Sequence, residues 1–154
     1  MIMGALVDAG LDFARLQAEL RKLPLRGYRL QRSEVKKAGI RATKVDVHVD
    51  GHGHAHGAPA ERTLPAILDL IERSDLDAAV KAAAARVFRR LADAEARAHG
   101  TTPDRVHFHD VGAVDAIVDV TGACAGLALL GVEAVHLSAL PVGGGFVEIG
   151  RAHV

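Results

Sequence analysis

Hydrophobic spacing over residues 1–49 predicts two short helices followed by a β-hairpin. Apolar side chains dominate residues 1–9, and Asp12 stands where the cap of a second helix would lie. Apolar positions then recur at helical spacing, at Phe13, Leu16, Leu20 and Leu23. Beyond Gly27 the period changes to two, and apolar residues alternate with mostly polar ones at Tyr28, Leu30, Val45, Val47 and Val49. We therefore expect a hairpin with one buried face and a turn around Gly39.

Two further helices are predicted between residues 63 and 100. Thr63 would cap the first, whose apolar stripe consists of Leu64, Ile67, Leu68 and Ile71. Ser74 would cap the second, with Asp77 in its first turn near the positive end of the helix dipole. The second helix is long and would end at Gly100. Its expected apolar face consists of Leu76, Val80, Ala83, Val87, Leu91 and Ala94.

The remaining residues predict a mixture of helix and strand. An extended segment at 106–111 precedes a helix over 113–130, whose expected apolar face is Ile117, Val120, Cys124 and Leu127. Gly122 and Gly126 are four residues apart, so another backbone can approach this helix closely. Strands are predicted at 135–140 and 146–149.

The fold class that these elements indicate is α+β. We expect helices packed on a small mixed or antiparallel sheet, in one domain over residues 1–154. Residues 51–62, GHGHAHGAPAER, have no periodicity and are rich in Gly and Ala. They are predicted to form a flexible His-rich loop.

Composition narrows the class of protein. An apolar fraction of 49% over 154 residues is enough for one hydrophobic core. Lys and Arg total 19, as do Asp and Glu, so the basic excess typical of nucleic-acid binding is missing. No apolar run reaches the roughly 18 residues of a membrane span, and no secretory signal is visible. A single cysteine excludes an internal disulfide. We expect a cytoplasmic protein with no nucleic-acid or membrane partner, and the sequence leaves a homo-oligomer open.

The densest group of chemically versatile side chains lies at residues 107–119. His107 and His109 are two apart on a predicted extended segment and project to the same side. Asp110 follows them, and Asp115 and Asp119 lie one turn apart on the next helix. Imidazole and carboxylate are the usual ligands of divalent metals such as nickel, zinc or manganese. The pattern indicates either a metal or catalytic site, or helix caps and exposed polar positions, and spacing alone leaves both open.

Two other segments are weaker candidates. His52, His54 and His56 alternate with small residues, which favours capture of divalent ions by a pliable backbone, although a solvated linker has the same composition. The three glycines Gly143, Gly144 and Gly145 would offer backbone donors to a phosphate, and they are also typical of a strand connection.

Four stretches of the sequence resemble a known family. They are HFHDVGAVDAIVDVTG at 107–122, FRRLADAEARAHG at 88–100, the His-rich stretch followed by RTL at 62–64, and SALPVGGGFV at 138–147. Together with MIMGAL at 1–6 they are similar to the nickel-insertion proteins of nickel-pincer nucleotide biosynthesis, the LarC family. The resemblance spans essentially the whole chain.

The resemblance implies an enzyme of the lyase class, a CTP-dependent cyclometallase. Such a protein inserts nickel into a pyridinium bis-thiocarboxylate mononucleotide, forms a carbon–nickel bond and consumes CTP with Mn²⁺ or Mg²⁺. By this resemblance His52, His54 and His56 hold nickel, while catalysis falls to the group His107, His109, Asp110, Asp115 and Asp119. His107, His109 and Asp115 are also expected as metal ligands, and Gly143–Gly145 as the nucleotide-binding turn.

Two alternatives stay open beside this enzyme. One is a non-catalytic nickel chaperone or store that uses only the histidine loop. The other is a metallohydrolase with His107, His109 and Asp115 around one metal. The family pattern also has a Gly-Ile-Ser-Gly-Asp segment before Met1 and a C-terminal half after Val154. We therefore expect a fragment, truncated at both ends, whose partner is the missing C-terminal half.

Overall fold

The computed structural model describes residues 1–49, 62–108 and 113–139. Its helices are α1 (Ile2–Asp8), α2 (Phe13–Leu20), α3 (Leu64–Glu72), α4 (Ala78–His99) and α5 (Val114–Leu129), with a 3₁₀ turn at Pro103–Arg105. Its strands are β1 (Tyr28–Lys37), β2 (Ile40–Val49), β3 (Arg62–Thr63) and β4 (His107–Phe108). The strands form two antiparallel pairs, β1 with β2 and β3 with β4. The predicted α+β class with a small antiparallel sheet is confirmed.

The first two helices and the hairpin lie where the sequence predicts them. Asp12 caps α2, and its carboxylate accepts a hydrogen bond of 2.9 Å from the backbone N–H of Arg15. The hairpin register pairs Lys37 with Ile40, so the loop consists of Ala38 and Gly39 alone. Both loop residues have positive φ, 51° and 84°, which is the conformation of a tight type I′ turn.

The hairpin has the predicted buried face near its base. Val45 is buried, and Tyr28, Leu30 and Val47 pack against the core. The far end of the hairpin extends beyond the core, because Ile40 is 72% exposed there. Helix α1 lies against β2 near Thr43, and a side chain at Gly4 would collide with the Thr43 carbonyl.

Helix α5 lies at the centre of the described structure. It packs against α1, α2, α4 and β2. At Gly122 and Gly126 the space that a Cβ would need is occupied by side chains, including Met3 and Leu6 of α1, rather than by the backbone that the sequence predicts there. The fully buried core around these contacts includes Met3, Leu16, Leu20, Ile67, Ile71, Phe88, Phe108, Ile117 and Val118.

Helix α4 corrects two predictions. Asp77, not Ser74, caps it, and the Asp77 carboxylate accepts a 2.8 Å hydrogen bond from the N–H of Ala79. The Ser74 hydroxyl instead donates to the Ile71 carbonyl at the end of α3. The buried face is Val80, Ala84, Phe88, Ala92 and Ala96, so the predicted face is rotated from the true one, and Val87 is exposed. Alanines carry little directional signal, and the large Phe88 decides which side faces the core.

The other predicted helix boundaries are confirmed. Thr63 precedes α3, although its side chain makes no capping hydrogen bond. Gly100 and Gly131 close α4 and α5 with positive φ. The buried face of α5 shares Ile117 with the predicted face but otherwise runs through Val118, Thr121, Gly122, Ala125 and Gly126.

Residues 135–139 form no strand, and Val135 and Leu137 are 62% and 74% exposed. Apolar and polar residues alternate here as in a strand, but no strand in the part of the chain that the structure describes pairs with this segment, so no β-ladder forms. The strand predicted at 146–149 lies outside the described residues. No helix within the described ranges is long and apolar enough to cross a membrane.

Candidate functional site

Two of the predicted site residues, Asp115 and Asp119, lie on α5. The helix starts at Val114, so Asp115 is in its first turn, where the helix dipole favours a negative charge. The Asp115 carboxylate accepts a hydrogen bond of 2.9 Å from the N–H of Ala116. Asp119 follows one turn later, and the predicted placement of both carboxylates on one face of one helix therefore holds.

The environment of Asp119 disfavours its charged form. Partial burial raises the pKa of this carboxyl above its ordinary value, and the nearby carboxylates of Asp115 and Asp46 raise it further, while the amino group of Met1 opposes the shift. Asp46 lies on β2, where it pairs with Lys44 at 2.8 Å. Asp46 is not predicted as part of this group, because strand alternation indicates only that it faces away from Val45 and Val47. The packing of α5 on β2 brings it near Asp119.

The short β3–β4 ladder joins the backbone of residues 62–63 to that of residues 107–108. Arg62 pairs with Phe108, and Thr63 pairs with His107. Because the pairing is antiparallel, the chain enters β3 and leaves β4 at the same end of the ladder. The backbone of His107 is thereby placed beside Thr63, seven positions after His56 in the sequence. No sequence pattern predicts β3, since a two-residue strand has no periodicity.

The other predicted site residues lie outside the described part of the chain. They are His52, His54, His56, His109, Asp110, Gly143, Gly144 and Gly145. Among the residues that the structure does describe, no group of three or more His, Cys, Asp or Glu side chains is arranged to hold a metal ion. The convergence of imidazole and carboxylate ligands accordingly stays a prediction.

A cleft of about 490 Å³ opens beside Asp119. It lies between the start of α1, α4 and α5, and its walls are mostly apolar: Met3, Val87, Val120, Ala123, Cys124 and Leu127 contribute to them. Its size falls in the range of small-molecule sites. The sequence contains its residues at helical spacing, but their convergence depends on how the three helices pack.

Cys124 has the character of a packing residue. It is half-buried in α5, and burial raises the pKa of its thiol, with the Arg86 guanidinium opposing that shift. A raised pKa reduces the fraction of thiolate, the nucleophilic form, at neutral pH. Cys124 is therefore better explained as a small apolar packing residue than as a nucleophile. Arg86, Arg89 and Arg90 are exposed on α4.

The described features define an α+β protein in which a short strand that begins with His107 precedes a helix bearing two carboxylates. The sequence profile of the nickel insertion protein family matches residues 1–153. This chain belongs to the nickel insertion protein family.

Individual relatives support the same assignment. A protein of Desulfitobacterium hafniense named pyridinium-3,5-bisthiocarboxylic acid mononucleotide nickel insertion protein is 48% identical over 149 residues, which are 96% of this chain and 35% of that protein. A relative in Gloeobacter violaceus, whose name marks it as a provisional nickel insertion protein, is 51% identical over 150 residues, 96% of this chain and 34% of its own. The chain thus spans about a third of the length of these relatives. No solved structure matches the chain.

Proposed function

We propose that this chain takes part in nickel insertion into a pyridinium bis-thiocarboxylate mononucleotide, with CTP consumed in the reaction. The observation that carries the proposal is the family match over residues 1–153, together with the substrate named for the Desulfitobacterium hafniense relative. Nickel is the metal substrate of this reaction, and the product is a nucleotide cofactor with a carbon–nickel bond. The chain itself would act as part of a CTP-dependent cyclometallase.

His52, His54 and His56 are proposed to collect nickel. Neutral imidazole is a good ligand for nickel. Histidines that alternate with Gly and Ala are better suited to capturing nickel ions than to holding them in a rigid coordination geometry. The pairing of Arg62 with Phe108 supports delivery from this segment toward His107 and His109, since the two segments join the described structure at adjacent backbone positions. Arg62 is six positions after His56, which limits the distance between them to about 20 Å.

His107, His109, Asp110, Asp115 and Asp119 are proposed as the group that handles the reacting metal and nucleotide. The donor set of α5 fits a hard cation, because Asp115 and Asp119 supply carboxylate oxygens one helical turn apart. Mn²⁺ or Mg²⁺ held there would neutralise phosphate charge on CTP. Asp115 lies in the first turn of α5, where the helix dipole favours negative charge, and the backbone donors of that turn favour a bound phosphate. Gly143, Gly144 and Gly145 are proposed to contribute further backbone donors to the nucleotide.

Nickel stoichiometry tests the division of roles between the two groups of residues. We expect the triple substitution His52→Ala, His54→Ala and His56→Ala to remove most of the weakly held nickel, measured by equilibrium dialysis and metal analysis. Asp115→Asn should leave that nickel in place but weaken CTP binding in the presence of Mn²⁺. The exposed Asp93→Asn, on α4, is the matched control for loss of one carboxylate.

The opposite outcomes separate the alternatives. If the triple variant loses all nickel and Asp115→Asn changes neither nickel nor CTP binding, the chain is a nickel chaperone or store. If the chain hydrolyses a generic phosphoester without any nucleotide, and His107→Ala abolishes this, the metallohydrolase is favoured. Mass spectrometry of the mononucleotide after incubation with Ni²⁺, CTP and Mn²⁺ would detect the inserted metal directly.

A further inference from the structure

One face of the hairpin is apolar and exposed near the turn. Ile40 is 72% exposed and Val35 is 36% exposed, and Ala42 is exposed beside them. Ile40 and Ala42 are two positions apart on β2, and Val35 lies opposite Ala42 in the register, so the three side chains share one face. Single exposed apolar residues are ordinary on a protein surface, whereas an adjacent group of them marks a contact surface. The half of the hairpin that contains the turn, residues 32–44, is called the hairpin arm.

The opposite face of the hairpin arm is cationic. Alternation along β1 places Arg32, Glu34 and Lys36 on this face, and Arg41 lies opposite Lys36 in the register. All four side chains are exposed. Glu34 pairs with Arg41 at 3.4 Å, and Arg32 and Lys36 make no salt bridge with the described residues. The hairpin arm is therefore an amphipathic ribbon, apolar on one face and positively charged on the other.

The groove between α3 and α4 has two walls of matching character. Its volume is about 640 Å³. On the α4 side it is lined by the alanines Ala78, Ala82 and Ala85, and on the α3 side by the carboxylates of Asp69 and Glu72. A ribbon that enters this groove would meet an apolar surface on one side and negative charge on the other.

The cations near the groove leave its α3 wall acidic. Lys81 donates a hydrogen bond of 2.7 Å from Nζ to the Glu72 carbonyl, where it compensates the negative end of the α3 dipole. Arg73 pairs with Asp69 at 2.6 Å, and both side chains stay mostly exposed. Arg89 lies about two turns further along α4 than Lys81. Residues 69–77 contain four acidic residues and Arg73 as their one basic residue.

We infer that the hairpin arm of one copy of this chain docks in the α3–α4 groove of a second copy. The apolar face of the arm packs on the alanine wall, and its cationic face meets the carboxylate wall. Each copy has one arm and one groove, so two copies related by a two-fold axis satisfy both contacts at once. Opposite charges on the two surfaces fix which face of the arm meets which wall. The inference goes beyond nickel insertion and does not depend on it.

Sedimentation equilibrium tests the self-association and the apolar contact. We expect the unmodified chain to form a dimer whose population rises with chain concentration up to about 200 µM and falls with added salt. Ile40→Glu places a charge on the alanine wall and should weaken the dimer by at least about tenfold. Leu137→Glu, at a position that is 74% exposed in the segment after α5, is the matched control and should leave the dimer unchanged.

Charge reversal tests which surfaces meet. Lys36→Glu and Asp69→Lys each bring like charges together in both contacts of a dimer, so each should weaken self-association about tenfold. An equimolar mixture of the two variants restores opposite charges in both contacts, and it should dimerise within about threefold of the unmodified chain. Arg90→Glu, exposed on α4 but not among the lining residues of the groove, is the control for charge reversal.

Three results would each overturn the inference. One is an unmodified chain that stays monomeric over the whole concentration range. Another is a dimer that Ile40→Glu and Lys36→Glu weaken no more than their controls do. The third is a mixture of Lys36→Glu and Asp69→Lys that associates no more strongly than either variant alone. Circular dichroism identifies a variant that fails to fold, and the charge-reversal pair keeps the test decisive if Ile40→Glu unfolds.

Discussion

Asp8 joins the hairpin to α1 through a single carboxylate. Its Oδ2 accepts a 2.8 Å hydrogen bond from the backbone N–H of Thr43. Hydrogen bonds from the Thr43 side chain and backbone lower the pKa of Asp8 below its ordinary value of 3.8, and the charges of Arg32 and Arg41 act in the same direction. A carboxyl whose pKa falls on folding stabilises the fold above the unfolded pKa, and this contribution is lost as pH falls through the folded pKa.

Asp8→Asn should therefore destabilise the chain in a pH-dependent way. We expect a lower free energy of unfolding than the unmodified chain at pH 7, and a difference that shrinks as the pH falls below the ordinary value of 3.8. Urea unfolding at pH 7, 5 and 3 measures it. Thr43→Val removes the hydroxyl donor but keeps the backbone donor, so it should reproduce only part of the effect. A difference that is constant across pH would contradict the role of the Asp8 charge.

Thr121 differs from Asp8, because its polar side-chain atom makes no stabilising hydrogen bond with the described residues. Its side chain is fully buried in α5, and its Oγ1 has no hydrogen-bond partner among the described residues. Burying an unpaired hydroxyl costs stability, so Thr121→Val, which keeps the shape, should raise the free energy of unfolding by about 1 kcal/mol. Thr121→Ser keeps the hydroxyl and loses a methyl group, and should lower it. Urea denaturation measures the free energy of unfolding of both variants. If Thr121→Val is less stable than the unmodified chain, Oγ1 has a hydrogen-bond partner and the prediction is wrong.

At the scale of an element, α4 shows how one capping residue fixes where a helix begins. The stretch from Ser74 to Asp77 offers three side chains with capping chemistry, and the structure uses Asp77 because Ser74 is already bonded to the end of α3. Asp77→Ala should lower the free energy of unfolding by about 1 kcal/mol. Asp75→Ala, two residues earlier and exposed, should leave it nearly unchanged. Equal effects of the two substitutions in thermal unfolding would contradict the assignment of the cap.

At the scale of the whole molecule, α1 and α5 pack closely because of glycine. A Cβ at Gly126 would lie 2.7 Å from Leu6 Cδ1 and 3.1 Å from Leu11 Cδ2. Alanine is the better helix former by about 1 kcal/mol. The sign of the stability change on Gly126→Ala therefore shows whether helix propensity or steric overlap is the larger effect. We expect a loss of about 1–2 kcal/mol, because overpacking a close contact outweighs the propensity. Ala128→Gly, at an exposed position of the same helix, is the control, because it changes helix propensity without changing a buried contact. Urea unfolding measures the stability of both variants.

The sequence by itself determined the elements whose signals are local. Helix α2 with its Asp12 cap, the hairpin, the glycine ends of α4 and α5, and the carboxylate pair Asp115 and Asp119 all follow from spacing and turn chemistry. The family could also be recognised from strings of adjacent residues. Such features depend on neighbours within about four positions, and periodicity and backbone sterics report them directly.

The tertiary structure alone decided which residues of different elements meet. It selected Phe88 and the alanines one turn apart as the buried face of α4, placed β3 beside β4, brought Asp46 toward Asp119, and opened the cleft beside Asp119. Weakly amphipathic, alanine-rich helices can rotate without changing their local pattern, so only the packing of large side chains against the rest of the core fixes their faces.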